Sequence, residues 1–192
     1  MTLLQPPPRA IVIGASAGGV VAVRTLLAGL PASLPCAVLV VIHLPRERPS
    51  LLAELMASAA ALPVAEAEDK QPIAPGQVLL APPDYHLMVE DAGHVALSVD
   101  APQLYSMPSI DVLFESAAHV WRHELLAIVL TGASADGARG AVAVRHAGGR
   151  VWVQDPDEAE MPVMPAAALE SAGADAVLTL RQMIQQLSGV CR

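Results

Sequence analysis

The stretch Ala10-Ile11-Val12-Ile13-Gly14-Ala15-Ser16-Ala17-Gly18-Gly19 decides the fold. An apolar run of strand length leads directly into a serine between small residues, and a helical pattern begins immediately afterwards. Such a turn places the Ser16 hydroxyl above the carboxyl end of a sheet, beside the N–H groups of a helix N-terminus. A nucleophile and a place for a developing negative charge would then lie together.

Apolar runs of strand length alternate with segments of helical period along the rest of the chain. This alternation predicts an α/β fold with a doubly wound, mostly parallel sheet and helices on both faces. The predicted strands are 10–14, 37–43, 64–66, 125–130 and 151–153, and the predicted helices are 18–30, 49–61, 109–123, 136–147, 165–172 and 180–187. Residues 77–99 change character, and turn residues between short apolar runs there predict an antiparallel hairpin at one edge.

Length and composition limit the possible classes. With 192 residues and no long linker, we expect one domain over 1–192, with 1–9 as a flexible N-terminal tail. The net charge of −8 and the lack of any Lys/Arg run argue against a nucleic-acid partner. No apolar segment approaches the roughly 20 residues that span a bilayer, so no membrane insertion is expected. The N-terminus lacks a signal-peptide pattern, which indicates a cytoplasmic protein. Cys36 and Cys191 form no recognisable disulfide or metal framework.

Two later strand ends carry the partners that a nucleophilic serine needs. His43 follows the second predicted strand, and Asp136 follows the strand at 125–130. Parallel strands end at one edge of a sheet, so both side chains would lie near Ser16. An imidazole takes the serine proton, and a carboxylate fixes its tautomer and stabilises its charged form. The chain order serine, histidine, aspartate differs from that of α/β-hydrolases, although 14–18 matches their G-x-S-x-G pattern.

Each of these residues also has an ordinary structural interpretation. The turn at Ser16 could be a close-packing or phosphate-binding turn, and His43 could be a hydrogen-bonded residue at a strand boundary. Asp136 precedes a predicted helix and could cap it, as Ser109 could cap the helix at 109–123.

A dinucleotide-binding domain and a metal site are the other chemical alternatives. The dinucleotide fingerprint needs a second glycine where Ser16 stands and an acidic residue where His43 ends strand two. His119 and His123 have helical i, i+4 spacing but lack the intervening glutamate of a zinc-protease helix. A solvated helix face explains them better.

Several blocks together resemble a known family, the catalytic domain of the bacterial chemotaxis protein-glutamate methylesterases (CheB). The resemblance runs from Ile11 to about Leu187. The blocks that carry it are Ile13–Gly19, Ile42–Pro45, Pro75–Gly76, Ala81–His86, Pro108–Phe114, Leu130–Gly132 with Asp136–Gly137, and Met164–Pro165.

The resemblance implies hydrolysis of glutamyl methyl esters on chemoreceptor signalling helices, with release of methanol and with deamidation of receptor glutamines as a second activity. It implies Ser16 as nucleophile, His43 as general base and acid, and Asp136 as the orienting carboxylate. It places Ala17 and Ala133 at the oxyanion and Gly18, Gly19, Met164 and Pro165 at the substrate. No metal or cofactor is implied.

The chain also departs from the family pattern. Ala17 stands where many relatives have Thr, Ala133 where Met is frequent, and Leu104-Tyr105-Ser106-Met107 where basic residues are common. Family members usually carry a receiver domain before the esterase, whereas about nine residues precede strand one here. We therefore expect a stand-alone domain that is either constitutively competent or controlled by a separate response regulator in trans. A catalytically altered docking module of a chemosensory pathway is the alternative.

Overall fold

The computed structural model describes residues 4–43, 51–103 and 106–191. Nine strands lie within these ranges: β1 Ala10–Ala15, β2 Ala37–Ile42, β3 Val64–Glu66, β4 Val78–Leu80, β5 His86–Asp91, β6 His94–Ser98, β7 Leu125–Val129, β8 Arg150–Gln154 and β9 Ala176–Leu178. Seven of them form one parallel sheet in the order β3-β4-β2-β1-β7-β8-β9. The chain builds outward from β1 on one side and then crosses to β7, so the topological switch point lies between these two strands.

The main sheet is covered on both faces. The helices are α1 Gly19–Ala28, α2 Leu52–Ala57, α3 Ile110–Trp121, α4 Ala138–His146, α5 Val163–Ala172 and α6 Leu180–Ser188. Side chains of α1, α2 and α6 share one buried cluster with Ile11 and Ile13 of β1, whereas those of α3, α4 and α5 share a second cluster with Val12. Successive residues of β1 thus point to opposite faces, and both faces are buried, which explains why the central strands are continuous apolar runs.

The predicted doubly wound α/β fold is confirmed, and the predicted hairpin is present as β5 and β6. The start of the stretch assigned to the hairpin differs, because Val78–Leu80 forms β4, a parallel strand of the main sheet between β2 and β3. Strands β5 and β6 form a separate two-stranded antiparallel sheet. Leu87, Val89 and Val95 of the hairpin are buried in the same cluster as Phe114 of α3. The hairpin therefore belongs to the layer of helices that covers one face of the main sheet.

The sequence prediction differs from the structure in three further places. It omits β9, whose apolar run Ala176-Val177-Leu178 is only three residues long and only half-buried or exposed. The helix expected over 49–61 is shorter, Leu52–Ala57, and Pro49 lies outside the described residues.

None of the helices within the described ranges is long and apolar enough to cross a bilayer.

The third difference concerns the segment that we predicted to be a flexible tail. From residue 4 onward it packs against the domain: Leu4 is 0% exposed, and the Arg150 guanidinium donates to the Pro6 carbonyl at 2.7 Å. The Arg9 N–H donates to the Glu124 carbonyl at 2.8 Å. The buried Leu4 side chain and two hydrogen bonds to residues distant in sequence fix this segment. Neither interaction can be predicted from short-range sequence patterns.

Candidate active site

Three of the predicted site residues follow neighbouring strands of the sheet. Ser16 follows β1, His43 follows β2, and Asp136 lies between β7 and α4. Backbone bonds continue the pairing beyond the strand ends, because the Ser16 N–H donates to Thr131 at 2.9 Å and the His43 N–H to Ala15 at 3.0 Å. These residues therefore meet at the carboxyl edge, where β1 and β7 form the switch point.

His43 and Asp136 are in direct contact. The His43 Nε2 atom lies 2.8 Å from Asp136 Oδ2, and the two side chains are 14% and 0% exposed. The pair joins residues that are 93 positions apart in sequence. A histidine with one nitrogen on a buried carboxylate has its ring orientation and tautomer fixed, which is what a general base requires.

The N-terminus of α3 holds the Asp136 carboxylate in place. Its Oδ2 accepts from the Ile110 N–H at 2.7 Å, and its Oδ1 accepts from the Asp111 N–H at 3.0 Å and from the Ser109 hydroxyl at 2.9 Å. Asp136 therefore caps α3, a helix distant in sequence, and does not cap α4, which it precedes. Ser109 occupies the N-cap position of α3 but makes no side-chain cap bond, because its hydroxyl donates to Asp136. The expected capping by Ser109 is wrong.

The environment of Asp136 keeps its carboxylate ionised. Burial alone would raise the pKa of Asp136, but hydrogen bonds from His43 and from the Asp111 and Ile110 N–H groups lower it, and the net pKa lies below the ordinary value. These N–H groups belong to the positive end of the α3 dipole. The ionised Asp136 carboxylate, fixed in position beside His43, can stabilise an imidazolium that forms during a reaction.

The tautomer of His43 follows from this contact. An ionised carboxylate only accepts hydrogen bonds, so Nε2 carries the proton and Nδ1 is left to accept. The Ser106 hydroxyl lies 3.5 Å from Nδ1, a long contact for a hydrogen bond. Within the described part of the chain the Ser16 hydroxyl makes no hydrogen bond, to His43 or elsewhere. Catalytic hydrogen bonds are often loose before substrate is bound.

Around Ser16, backbone groups rather than side chains shape the site. The Thr131 hydroxyl donates to the Ala17 carbonyl at 2.9 Å and accepts from the Met161 N–H at 2.9 Å. It thereby ties the turn after β1 to the loop before α5. The N–H groups of Ala17 and Ala133 donate to no acceptor within the described ranges. Sequence reasoning missed Thr131 as a positioning residue, since its hydroxyl joins Ala17, 114 positions away, to Met161, 30 positions away.

Gly132 brings two predicted site residues together. A Cβ atom at Gly132 would lie 2.9 Å from Ser16 Cβ and 2.6 Å from Met164 Cε. The Met164 N–H also donates to the Gly132 carbonyl at 2.9 Å. Met164 and Pro165 are buried in the first turn of α5, so these two residues support the wall beside Ser16.

Gly18 and Gly19 form the entry to α1. Gly18 has a left-handed backbone (φ 75°) at the N-cap, and the Gly19 N–H donates to the Ser16 carbonyl at 2.7 Å. The exposed Glu160 side chain lies over this turn, since a Cβ atom at Gly18 would lie 2.8 Å from Glu160 Oε2. The turn is therefore compact, with one acidic side chain at its rim.

The remaining polar groups near the site are structural. His86 is buried, with Nδ1 accepting from the Ser109 N–H at 3.1 Å and Nε2 lying 3.3 Å from the Ala101 carbonyl. Cys36 is buried before the start of β2, at the end of the strands opposite to the site, and the side chain of Cys191 lies outside the described residues. Among the described residues, no group of three His, Cys, Asp or Glu side chains is placed to hold a metal ion.

The fold and the site define a doubly wound α/β domain with a histidine–aspartate pair and a serine at its switch point. The chain belongs to the CheB methylesterase family, whose family model matches residues 11–187. The solved structure of the Thermotoga maritima CheB methylesterase catalytic domain superimposes with a TM-score of 0.90 at 30% identity, covering 95% of this chain and 98% of that one. The resemblance predicted from sequence is confirmed.

Relatives of different lengths match the same region. A Leptospira interrogans protein is 38% identical over 176 residues, which cover 92% of this chain and 91% of that protein. The protein-glutamate methylesterase/protein-glutamine glutaminase of Symbiobacterium thermophilum is 36% identical over 182 residues. The match covers 95% of this chain but 50% of that protein, so the chain spans about half the length of this relative.

Proposed function

We propose that this domain is a serine esterase that demethylates glutamyl methyl esters on chemoreceptor signalling helices, releasing methanol. The observation that carries the proposal is the 2.8 Å contact between His43 Nε2 and the buried Asp136 carboxylate at the strand end next to Ser16. Deamidation of receptor glutamines is the second activity, because the two reactions share an acyl centre and differ in the leaving group. The double name of the Symbiobacterium thermophilum relative supports both.

In the first half of the reaction, the Ser16 hydroxyl oxygen attacks the ester carbonyl carbon while His43 takes its proton. Nδ1 is the ring nitrogen available for that proton, since Nε2–H already donates to Asp136. The Ala17 and Ala133 N–H groups donate to the tetrahedral oxyanion. Removing one such donor costs roughly 3–4 kcal/mol of transition-state stabilisation.

The second half reverses the proton transfers. His43 gives its proton to the leaving group, which departs as methanol from a methyl ester or as ammonia from a glutamine. Water then attacks the acyl-serine as His43 accepts one of its protons. The Ser16 oxygen leaves as a hydroxyl and the receptor glutamate is restored as a carboxylate.

The partners follow from the substrate. The domain acts on methylated cytoplasmic helices of chemoreceptors, which places it in the cytoplasm. Gly18, Gly19 and the wall built by Met164 and Pro165 contact the glutamyl side chain. We also propose that a separate response regulator, acting in trans, controls the esterase activity.

The first experiment measures methanol release from methylated chemoreceptor cytoplasmic fragments, with the unmodified chain and with Ser16→Ala. Turnover in Ser16→Ala falls by a factor on the order of 10⁶, to the assay floor. The free energy of unfolding changes by less than about 0.5 kcal/mol, because the Ser16 hydroxyl makes no hydrogen bond within the described structure. Ser171→Ala, at an exposed position in the last turn of α5, is the matched control and keeps full turnover.

A catalytically altered docking module is the competing function, and the same proteins separate the two. No methanol or ammonia release from the folded, unmodified chain, together with binding of the receptor fragment, would favour docking. Turnover that survives Ser16→Ala would remove Ser16 as the nucleophile while keeping the esterase.

A further inference from the structure

A second buried carboxylate lies next to the His43–Asp136 pair. Asp111, in the first turn of α3, is 2% exposed. Its Oδ1 accepts from the Gly137 N–H at 2.9 Å and from the Gly140 N–H at 2.7 Å. Both donors belong to the start of α4, so Asp111 caps α4 from a neighbouring helix.

Each of the two aspartates therefore caps the helix to which the other one is adjacent in sequence, an arrangement we call the exchange of caps. Asp136 immediately precedes α4 and caps α3, whereas Asp111 lies on α3 and caps α4. Gly140 allows the close approach, since a Cβ atom there would lie 2.5 Å from Phe114 Cβ and 3.2 Å from Asp111 Cα. Each carboxylate neutralises the positive end of the other helix, and together they fix the two N-termini relative to each other.

The exchange of caps affects the site because one of the two backbone N–H groups that Asp111 accepts from directly follows Asp136 in the chain. The Gly137 N–H belongs to the residue that directly follows Asp136. Without Asp111, two buried N–H groups lose their acceptor, which is costly enough to make the segment shift toward other partners. A shift near 1 Å would break the 2.8 Å contact between Asp136 and His43.

We propose that Asp111 is a positioning residue that fixes the 136–140 segment and thereby holds the Asp136 carboxylate against His43. The inference rests on the proposed function only for the consequence on turnover. The geometric consequence, the state of the His43–Asp136 hydrogen bond, stands independently of any activity.

The charged groups around Asp111 decide which variants test this role. Arg139 Nε lies 3.7 Å from Asp111 Oδ2 and 2.6 Å from Glu115 Oε1, and the Asp136 carboxylate interacts electrostatically with Asp111. Asp111→Ala removes the acceptor and the charge together. Asp111→Asn removes the charge but keeps an acceptor oxygen for the two N–H groups, so it is the conservative rescue.

A matched control exists at the opposite edge of the sheet. Asp175 Oδ2 accepts from the Val151 N–H at 2.7 Å and pairs with Arg145 at 3.0 Å. It precedes β9, at the amino end of the strands, away from Ser16. Asp175→Ala thus removes a hydrogen-bonded but partly exposed carboxylate without touching the site.

The test combines ester turnover with NMR of the His43 Nε2–H proton in ¹⁵N-histidine-labelled protein, assigned by comparison with His43→Gln. In the unmodified protein we expect a downfield Nε2–H signal protected by Asp136. In Asp111→Ala the signal is lost to solvent exchange, and kcat falls about 10- to 100-fold with KM changed less than about 3-fold. Asp111→Asn restores the signal and brings kcat to within about 5-fold of the unmodified chain. Asp175→Ala changes neither.

Other outcomes overturn the proposal. If folded Asp111→Ala keeps the protected signal and full kcat, Asp111 has no positioning role. If Asp111→Ala does not fold, Asp111→Leu, which keeps the branched shape of the side chain but offers no acceptor to the Gly137 and Gly140 N–H groups, takes its place, and an unchanged signal there overturns the proposal in the same way. If the unmodified chain has no esterase activity, the proposed function fails, and the NMR signal alone decides the role of Asp111.

Discussion

The site has two parts, the base side with His43 and Asp136 and the serine side with Ser16 and the N–H groups of Ala17 and Ala133. They differ in whether their polar groups have hydrogen-bond partners inside the protein. The Asp136 carboxylate accepts hydrogen bonds from His43, Ser109 and two N–H groups of α3, all inside the protein. On the serine side, the Ser16 hydroxyl and the Ala17 and Ala133 N–H groups have no partner within the described residues. Among the described residues, the groups on the base side therefore have partners inside the protein, whereas the groups on the serine side have none.

This difference separates two kinds of substitution. Donors and acceptors that are paired in the folded protein stabilise it, and removing a partner from a buried group costs both stability and geometry. Groups reserved for a ligand contribute to activity and little to folding. Changes at Asp136 should therefore cost both, and changes on the serine side should mainly cost activity.

After Ser16→Ala, the largest effect is expected for Asp136→Asn. The amide cannot hold the Nε2–H tautomer of His43 as a carboxylate does, so kcat for the methyl ester falls by roughly 10³–10⁴. It also loses charge-assisted bonds from α3, so the free energy of unfolding falls by about 1.5–3 kcal/mol. Steady-state turnover and urea unfolding measure the two quantities. Asp175→Asn, the control for loss of a partly exposed carboxylate, leaves kcat unchanged, and turnover of Asp136→Asn within tenfold of the unmodified chain would contradict the assigned role.

A smaller effect is expected for Gly132→Ala on the serine side. The new methyl group would lie 2.9 Å from Ser16 Cβ and 2.6 Å from Met164 Cε, so both contacts are too short and both must be relieved by movement. Displacing Ser16 by a few tenths of an ångström lowers kcat by about 10- to 100-fold, while the overpacking costs about 1–3 kcal/mol.

Gly93→Ala in the hairpin turn is the control for Gly132→Ala, because its Cβ would meet nothing closer than 3.6 Å. It should leave kcat unchanged. Methanol release measured beside thermal unfolding distinguishes the outcomes. A Gly132→Ala protein with normal kcat would show that Met164 yields and that the Ser16 position tolerates the crowding.

The sequence predicted the fold well where one local pattern dominates. The buried strands β1, β2 and β7 are continuous apolar runs, and alternation with helical segments implies parallel pairing. β9 was missed because it is short and half exposed. The packing of residues 4–9 was missed because Leu4 is a single apolar residue whose partners are distant in sequence.

The same distinction applies to the site. Ser16, His43 and Asp136 were predicted because each follows a predicted strand, and parallel strands end at one edge. The exchange of caps between Asp111 and Asp136 could not be predicted, since Ser109 and Asp136 each precede a helix in a way that favours an ordinary local cap. The relative placement of α3 and α4 decides which carboxylate reaches which helix, and only tertiary packing sets that placement.

The smallest expected effect is a pH dependence of stability that separates the two exchanged carboxylates. The folded-state pKa of Asp136 is lowered, because the bonds from His43, Asp111 and Ile110 outweigh its burial. Asp136 therefore adds stability above the unfolded pKa of about 3.9, and this stability is lost as the pH falls through its folded-state pKa. The folded-state pKa of Asp111 is raised, chiefly by burial, with the Gly140 N–H opposing. Its ionised form therefore costs stability once the pH rises above the unfolded value.

Urea unfolding of the unmodified chain, Asp136→Asn and Asp111→Asn from pH 3 to pH 7 should separate these opposite signs. The stability deficit of Asp136→Asn shrinks toward acid pH, because protonation removes the advantage of the carboxylate in the unmodified chain. Asp111→Asn gains stability relative to the unmodified chain as the pH rises, because the amide carries no buried charge. Stability differences that stay constant with pH in both variants would show that the two carboxylates have the same pKa folded and unfolded. The contrast between Asp136, whose ionised form the fold stabilises, and Asp111, whose ionised form the fold destabilises, would then be wrong. This would hold even if Asp136 still caps α3 and Asp111 still caps α4.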